Sequence, residues 1–337
     1  MSVTVAVDTA GADLGPREVA EGAAIAAARG VRVILFGSAA EIGTVPAGVE
    51  VVDAPVSIAK AHDPARAVRA TPDASIVQAA KAVAAGDADA LVSGGSTGAA
   101  LAAGLFEIRR APGIYRPALA LPIPVPGAPV TLVDVGANTD ARSEHLVQFA
   151  YMGAALAQTV LGVARPRVAL LSNGEEASKG TEAVVAAHRE LAGREGQAGR
   201  TLEFIGNVEG HDLTAGVADV VVCDGFTGNI ALKILEGTSS MLLGAVRDAA
   251  ASSPRATLGG LLLRPSLRRL RDEIDPEGPG GAYLLGLRRL GVVPHGRFTR
   301  HGFSQAILLA ARGVTGDIVG TTHAALEAGG ALRRRPA

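Results

Sequence analysis

Short runs of β-branched and aliphatic residues alternate with alanine-rich helical stretches along most of this 337-residue chain. Residues 3–7, 31–36, 49–52, 88–92, 130–133, 168–171, 202–205 and 217–222 read as strands. Residues 17–29, 74–85, 97–110, 144–161, 181–192, 229–250, 303–311 and 318–327 read as helices. The strand runs are almost unbroken in apolar residues, so they must be buried on both faces. That pattern predicts an α/β fold: three α/β/α layers around a mainly parallel sheet. Pro16 near the start of the first helix and Gly30 just past its end fit helix initiation and termination. No internal repeat is visible.

Composition narrows the function classes. Hydrophobic residues make up 48% and charged residues 19%, enough apolar material for a large core. The 32 basic residues nearly cancel the 33 acidic ones, and aromatics are only 3% with no Trp. A nucleic-acid binder would show a basic excess and interleaved aromatics, so that class is disfavoured. The single cysteine, Cys223, excludes an internal disulfide and a Cys-rich zinc site. The beginning, MSVTVAVDTAGAD, has neither a basic region nor a long apolar run, and no stretch is apolar enough to span a membrane. A cytoplasmic chain is expected. Residues 1–330 are read as one α/β catalytic unit, with a division into two lobes (1–130 plus 280–330, and 131–279) as the alternative. A frayed tail at 331–337 follows.

One segment departs from the alternation. Residues 252–277 carry Leu258, Leu261, Leu262, Leu263, Leu267 and Leu270 among several arginines. Pro265 interrupts the run, so two short helices or a hairpin are expected. This amphipathic insertion either packs its leucines on the core or touches a membrane surface. From Arg255 to Arg300 nine arginines face four acids, a local balance of +5. Such a stretch could attract an acidic protein or anionic headgroups.

Polar residues collect where strands end. The loops are Asp8 to Asp13, Ser93 to Gly98, Asp134 to Asn138, Ser172 to Gly180 and Cys223 to Asn229. In an open parallel sheet all five would lie at one edge, where ligands bind. Their glycines let the backbone approach a ligand, and the following helix N-termini offer free N–H groups to an anion. The expected site is one anion-binding cleft. Neither GxGxxG in a suitable place nor GxxxxGK[ST] occurs, which disfavours dinucleotide and ATP sites of the usual kinds. The carboxylates Asp8, Asp13, Asp134, Glu175, Glu176 and Asp224 have no metal-ligand spacing, so no metal and no cofactor are expected. Only four of the 32 basic residues are lysine: Lys60, Lys81, Lys179 and Lys233. Lys179, in a glycine-containing loop before a helix, can hold an anion or a developing oxyanion. Lys233 reads as structural or exposed, Cys223 as a buried inert thiol, and His145 and His295 as structural.

At these loops the chain resembles a known family, the PlsX-type phosphate acyltransferases of bacterial phospholipid synthesis. The matching stretches are AVDTAGADLGP, LVSGGSTGAALAAGLF, LVDVGANTDARSEHLVQFAYMGA, LLSNGEEASKGTE, FIGNVEGHDLTAGVADVVVCDGFTGNIALKILEG and GGAYLLGL, with His295-Gly296 after them. They cover nearly the whole chain in the family's order. The chain departs from the family at Thr9 to Leu14, at Ser96 where Asn is usual, at Pro279 where an aromatic is usual, and at Arg297 to Arg300. The resemblance implies a fold similar to isopropylmalate dehydrogenases and phosphotransacetylases, a homodimer, and no cofactor. It also implies transfer of an acyl group from acyl carrier protein to inorganic phosphate. The acyl phosphate would pass to a membrane glycerol-3-phosphate acyltransferase, which fits a cytoplasmic enzyme with peripheral membrane contact. Lys179 and Asn229 are the catalytic candidates. Asp8, Gly11, Asp13, Ser93, Ser96, Thr97, Asn138, Glu175, Asp224 and Thr227 are the substrate- or phosphate-binding candidates. A phosphotransacetylase-like enzyme using short acyl-CoA and a non-catalytic lipid-synthesis scaffold are the competing readings.

Overall fold

The computed structural model describes residues 2–127, 129–194, 201–275 and 277–333. Of the expected frayed tail, residues 334–337 lie outside the described residues, as does Pro276 of the amphipathic insertion. The strands are β1 (Thr4–Asp8), β2 (Arg32–Gly37), β3 (Val49–Asp53), β4 (Ala90–Ser93), β5 (Ala118–Ile123), β6 (Val130–Val133), β7 (Arg167–Leu171), β8 (Glu203–Val208), β9 (Val220–Val222), β10 (Ala282–Leu285) and β11 (Leu290–Val293). Among the described residues these form one sheet in the order β3-β2-β1-β4-β11-β10-β5-β6-β9-β7-β8.

Successive residues of each strand serve opposite faces, as a pleated strand requires. Val5 and Val7 of β1 join one buried cluster, and Ala6 joins the other. On the first face lie α1 (Pro16–Ala27), α6 (Ser143–Leu161), α7 (Glu182–Gly193), α10 (Arg300–Thr315) and α11 (Ile318–Ala328). The second face carries α3 (Pro64–Ala70), α4 (Ser75–Ala85) and α5 (Thr97–Ala103), the last extended by a π-helical turn over Gly104–Ile108. A one-turn helix, α2 (Ala39–Ile42), follows β2. This is the expected three-layer arrangement.

The sheet is mainly but not wholly parallel, and the exceptions move the site. β10 is antiparallel to both β11 and β5, and β5 is antiparallel to β6. The parallel set β3-β2-β1-β4-β11 therefore runs opposite to the set β6-β9-β7-β8. The five polar loops do not share one edge, contrary to the sequence expectation. Those after β1 and β4 lie at one edge, and those after β6, β7 and β9 at the other. The reversing strands were the ones missing from the sequence pattern. In β5 (ALALPI) Pro122 breaks the apolar run, and β10 and β11 are four-residue pieces around a glycine turn.

The Gly-rich stretch after β9 is the first turn of α8 (Gly225–Ala251), not a loop. The insertion is one continuous helix, α9 (Pro254–Glu273), that runs through Pro265. Two residues, Ser252 and Ser253, join α8 to α9 as a helical hairpin, and the Ser253 hydroxyl accepts from the Ala256 N–H. In α8 only Gly225 and Gly228 are buried, and in α9 nothing is. Its leucines are not packed on the core. Eleven of the sixteen large apolar side chains that are exposed among the described residues lie on this hairpin. Among the described residues no helix is long and apolar enough to cross a membrane.

One polar side chain ties the C-terminal segment to the core. Gln148 on α6 is fully buried. Its Oε1 accepts from the Tyr115 N–H at 2.8 Å, and its Nε2 donates to the carbonyls of Gly113 at 2.9 Å and Ala331 at 2.8 Å. Replacing Gln148 with Leu strands three backbone groups. The expected loss of stability is about 2–4 kcal/mol, readable as a fall in the urea midpoint at unchanged slope.

Candidate active site

The first edge is built around a buried carboxylate. Asp8, 3% exposed at the end of β1, accepts from Ser75 Oγ at 2.6 Å, Ser93 Oγ at 2.8 Å and the Ala10 N–H at 3.2 Å. These bonds fasten the β1 loop to α4 and to the β4 loop. Gly11, at φ +88°, lies against Ala59 and Gly95, where a Cβ would collide with both. The Asp13 N–H donates to the Gly296 carbonyl at 2.9 Å, which joins the loop after β11. Ser96 caps α5 by accepting from the Ala99 N–H, and Thr97 opens that helix.

The second edge has its own buried carboxylate. Asp134, fully buried, accepts the N–H groups of Leu119, Gly136, Ala137 and Asn138 at 2.7 to 3.1 Å. Burial nevertheless pushes its carboxyl above the usual range against the pull of those donors. Asn138 Nδ2 donates to Asp134 and to the Pro117 carbonyl, both at 2.8 Å. The start of α8 presses on this loop. The Gly225 N–H donates to the Asn138 carbonyl at 2.7 Å, and a Cβ on Gly228 would collide with the Asp134 carbonyl. Asp224 caps α8, accepting from the Thr227 N–H and Oγ1 at 2.8 Å each. One turn on, Asn229 Nδ2 donates to the Val135 carbonyl at 3.2 Å. Cys223 is buried, its thiol pushed well up by burial, as an inert thiol should be.

The loop after β7 carries Glu175 and Lys179, both exposed. The Lys179 N–H donates to the Glu176 carbonyl at 2.9 Å, and its aliphatic stem covers Gly174. Asn207 Nδ2 fixes the same carbonyl at 2.9 Å. Because β7 lies beside β9, this loop stands next to the one that starts α8.

A cavity of about 610 Å³ connects the two edges across the face of β5, roofed by α8. Thr97 and Gly95 reach it from the first edge, Val135 and Asn229 from the second. Thus Asn229 and Thr97, named from sequence, share one chamber. Asp8, Ser93, Asn138, Asp224 and Thr227 all make hydrogen bonds within the protein. The hydroxyl hydrogen of Ser93 goes to Asp8, and Asn138 gives its amide to Asp134 and Pro117. They position backbone and neighbouring helices. Lys179 and Glu175 lie outside the cavity lining among the described residues.

The sequence reading also passed over a polar cluster in the cavity wall. Lys233 Nζ meets His295 Nε2 at 2.9 Å and Glu236 at 3.3 Å, and Arg297 reaches Glu236 at 3.2 Å. Burial, then Lys233 and Arg297, hold the His295 pKa below the usual histidine range. A neutral ring accepts from the lysine ammonium at Nε2, so its proton sits on Nδ1. The available signal was the scarcity of lysine, which had pointed to Lys179 alone.

The family model described as "Fatty acid synthesis protein" matches residues 3–319. A phosphate acyltransferase of Nitratidesulfovibrio vulgaris (strain DP4) is 40% identical over 318 residues, covering 92% of this chain and 91% of that one. The chain belongs to the phosphate acyltransferase family. A phosphate acyltransferase of Thermobifida fusca (strain YX) is 47% identical over 212 residues, 63% of this chain. That match spans 58% of the Thermobifida protein's length, less than two thirds. Among solved structures, the EutD phosphotransacetylase from Staphylococcus aureus superposes with a TM-score of 0.61 at 19% identity, covering 93% of this chain and 94% of that one. A phosphotransacetylase from Streptococcus pyogenes gives 0.59 at 17% identity, covering 93% and 94%. These likenesses establish the fold of the phosphate acyltransferase chain.

Asp8 gives a pH test of this scaffold. Burial raises its carboxyl from 3.8 to about 6, outweighing the three donors. Below the unfolded value both states are protonated. As pH rises toward the folded value the unfolded chain ionises first, so stability is lost through that window. At about 1.4 kcal/mol per unit, the loss approaches about 3 kcal/mol. Relative to wild type, Asp8→Asn should gain roughly that much between about pH 4 and pH 6.5 in urea unfolding. A difference that does not vary with pH would show that the carboxyl is not raised.

Proposed function

We propose that the chain transfers a fatty acyl group from acyl carrier protein to inorganic phosphate, yielding an acyl phosphate for phospholipid synthesis. The observation that carries this reading is the start of α8. Its N-terminal turn sits on the Asp134 loop and delivers Asn229 into a largely apolar chamber. The Asn229 side-chain amide can donate to an anion there, and an apolar chamber excludes water around an acyl donor.

In the reaction a phosphate oxygen attacks the thioester carbonyl carbon. The tetrahedral intermediate collapses, the carbon–sulfur bond breaks, and the carrier's thiolate leaves and takes a proton from solvent. A thiolate leaves readily, so no strong general acid is needed. What the step demands is anion binding and oxyanion stabilisation. Asn229 supplies an amide donor at the chamber. Lys179 supplies a mobile positive charge from the neighbouring loop, and its exposed side chain can swing toward the α8 start when substrate arrives. Thr97 lines the same chamber and can donate its hydroxyl to the phosphate.

The exposed hairpin supports two further parts of the proposal. The outer face of α8, with Phe226, Ile230, Ile234 and Met241, suits the homodimer contact. On α9, Leu258, Leu261 and Leu262 lie among Arg255, Arg264, Arg268 and Arg269, a mixture suited to an anionic membrane surface. Part of the +5 stretch is neutralised within the fold: Arg271 pairs with Asp272, Arg297 with Glu236 and Arg300 with Glu18. Arg268 and Arg269 are exposed and make no ion pair among the described residues. They remain available to an acidic carrier protein.

The decisive assay measures acyl phosphate formation from phosphate with long-chain acyl carrier protein or with acetyl-CoA as donor. Turnover should require the carrier-linked donor. Acetyl-CoA preference would favour the short-chain reading, and inactivity with both would favour a scaffold. Lys179→Ala should lower turnover by at least about a hundredfold with circular dichroism and oligomeric state unchanged. Reversing charge at Arg268 and Arg269 should raise KM for the carrier-linked donor and weaken vesicle recovery, with kcat within about twofold.

A further inference from the structure

The chamber is asymmetric. Its polar wall is formed by Asn229, Lys233, Glu236 and His295, all near the start of α8 or in the loop after β11. Thr97, Thr214, Ser239, Ser240 and Arg297 add further polar groups, and most of the remaining lining is apolar. Leu119, Leu121 and Ile123 alternate along β5 and so present one face of that strand to it. Leu235 and Leu243 face it from α8, and Ile274 and Pro279 close the far end. A second recess of about 260 Å³, with Asp272, Glu273, Asp275 and Arg312 in its lining, adjoins it and shares Pro122, Ile123, Pro124 and Pro279 with the chamber.

We infer that this apolar trough is the acyl-chain site, with the reacting carbon held at the Asn229 and Lys233 end and the chain lying along β5 and α8 toward Leu243 and Ile274. The inference rests on the acyl-transfer reading of the same site and extends it to the residues that set chain length. Three observations carry it. The trough begins at Asn229, proposed above for the chemistry, so a chain entering it leaves its carbonyl beside that amide. From Asn229 to Leu243 the α8 wall runs about 21 Å at about 1.5 Å per residue. A bilayer leaflet's hydrocarbon, the length of one membrane acyl chain, is about 15 Å deep. The cavity volume, about 610 Å³, also falls in the range of small-molecule sites. A short acyl group would leave most of the trough empty. Each methylene that enters it should add about fourfold to affinity.

Leu121 and Leu243 therefore act as length determinants. The chain has no tryptophan, so Leu121→Trp or Leu243→Trp introduces a single fluorophore at the trough wall. Acyl phosphate formation is compared with palmitoyl and butyryl carrier-protein donors. Both variants should lower the palmitoyl-to-butyryl ratio of kcat/KM at least about tenfold, as expected if the larger ring displaces several methylenes. Val45→Trp, on an exposed loop elsewhere, should leave the ratio unchanged. The emission of the Leu243→Trp variant should shift to the blue when a long-chain acyl phosphonate is added. Should the variants fail to fold, wild-type protein is photolabelled with a long-chain acyl phosphonate carrying a terminal diazirine. Label should appear in residues 119–126, 232–243 or 274–282. An active wild type whose variants keep the same ratio, or label confined to other segments, overturns the trough assignment. A wild type that makes acyl phosphate from no donor fails the acyl-transfer reading instead.

Discussion

The architecture of the site depends on a carboxylate that never reaches solvent. Asp134 gathers four backbone N–H groups and the Asn138 amide, so the chain after β6 has one available course. That course leaves the Asn138 and Asp134 carbonyls pointing where α8 must begin. Only glycine can stand at Gly225 and Gly228, because any side chain there would occupy the space of the loop. The start of this helix is thereby set by that hydrogen-bond network together with its own Asp224 cap and two glycines. Unpaired, a buried carboxylate is costly, and here the backbone donors offset that cost while fixing the geometry.

Asp8 repeats the device at the other edge with different donors. It recruits two serine hydroxyls from α4 and β4 rather than a ring of amides. The two carboxylates lie on opposite edges because β10 and β5 reverse the sheet between them. A wholly parallel sheet would have placed every polar loop in one row and left no chamber over β5. The reversal puts the loops at the two ends of a strand and makes the strand's face the floor between them.

Much of this organisation was visible in the residues. Continuous apolar strands and alanine-rich helices identified the layers, and β6 matches the sequence reading at both ends. Four of the five polar stretches do lie at loops after strands, while the stretch after β9 opens α8 instead. Their placement in space was not readable, since Pro122 interrupts the apolar run of β5 and β10 and β11 are too short to show a period. The start of α8 was hidden for a related reason: its glycines, required by the Asp134 loop, look like turn residues until the partner is known. Among site residues, Asn229 was named from its motif. Lys233 and His295 meet across 62 positions of sequence, a pairing that no local pattern encodes. Ser93 and Asn138 have the chemistry of phosphate donors, but tertiary contacts engage those same hydrogens.

The hairpin gives α8 two jobs on opposite sides of one rod. Its inner side roofs the chamber, while its outer side and α9 stand in water with their leucines uncovered. Any body that grips the outer side acts on the same rigid backbone that sets the width of the chamber. The helix is a shared wall, with the chamber on one side and the uncovered apolar face on the other.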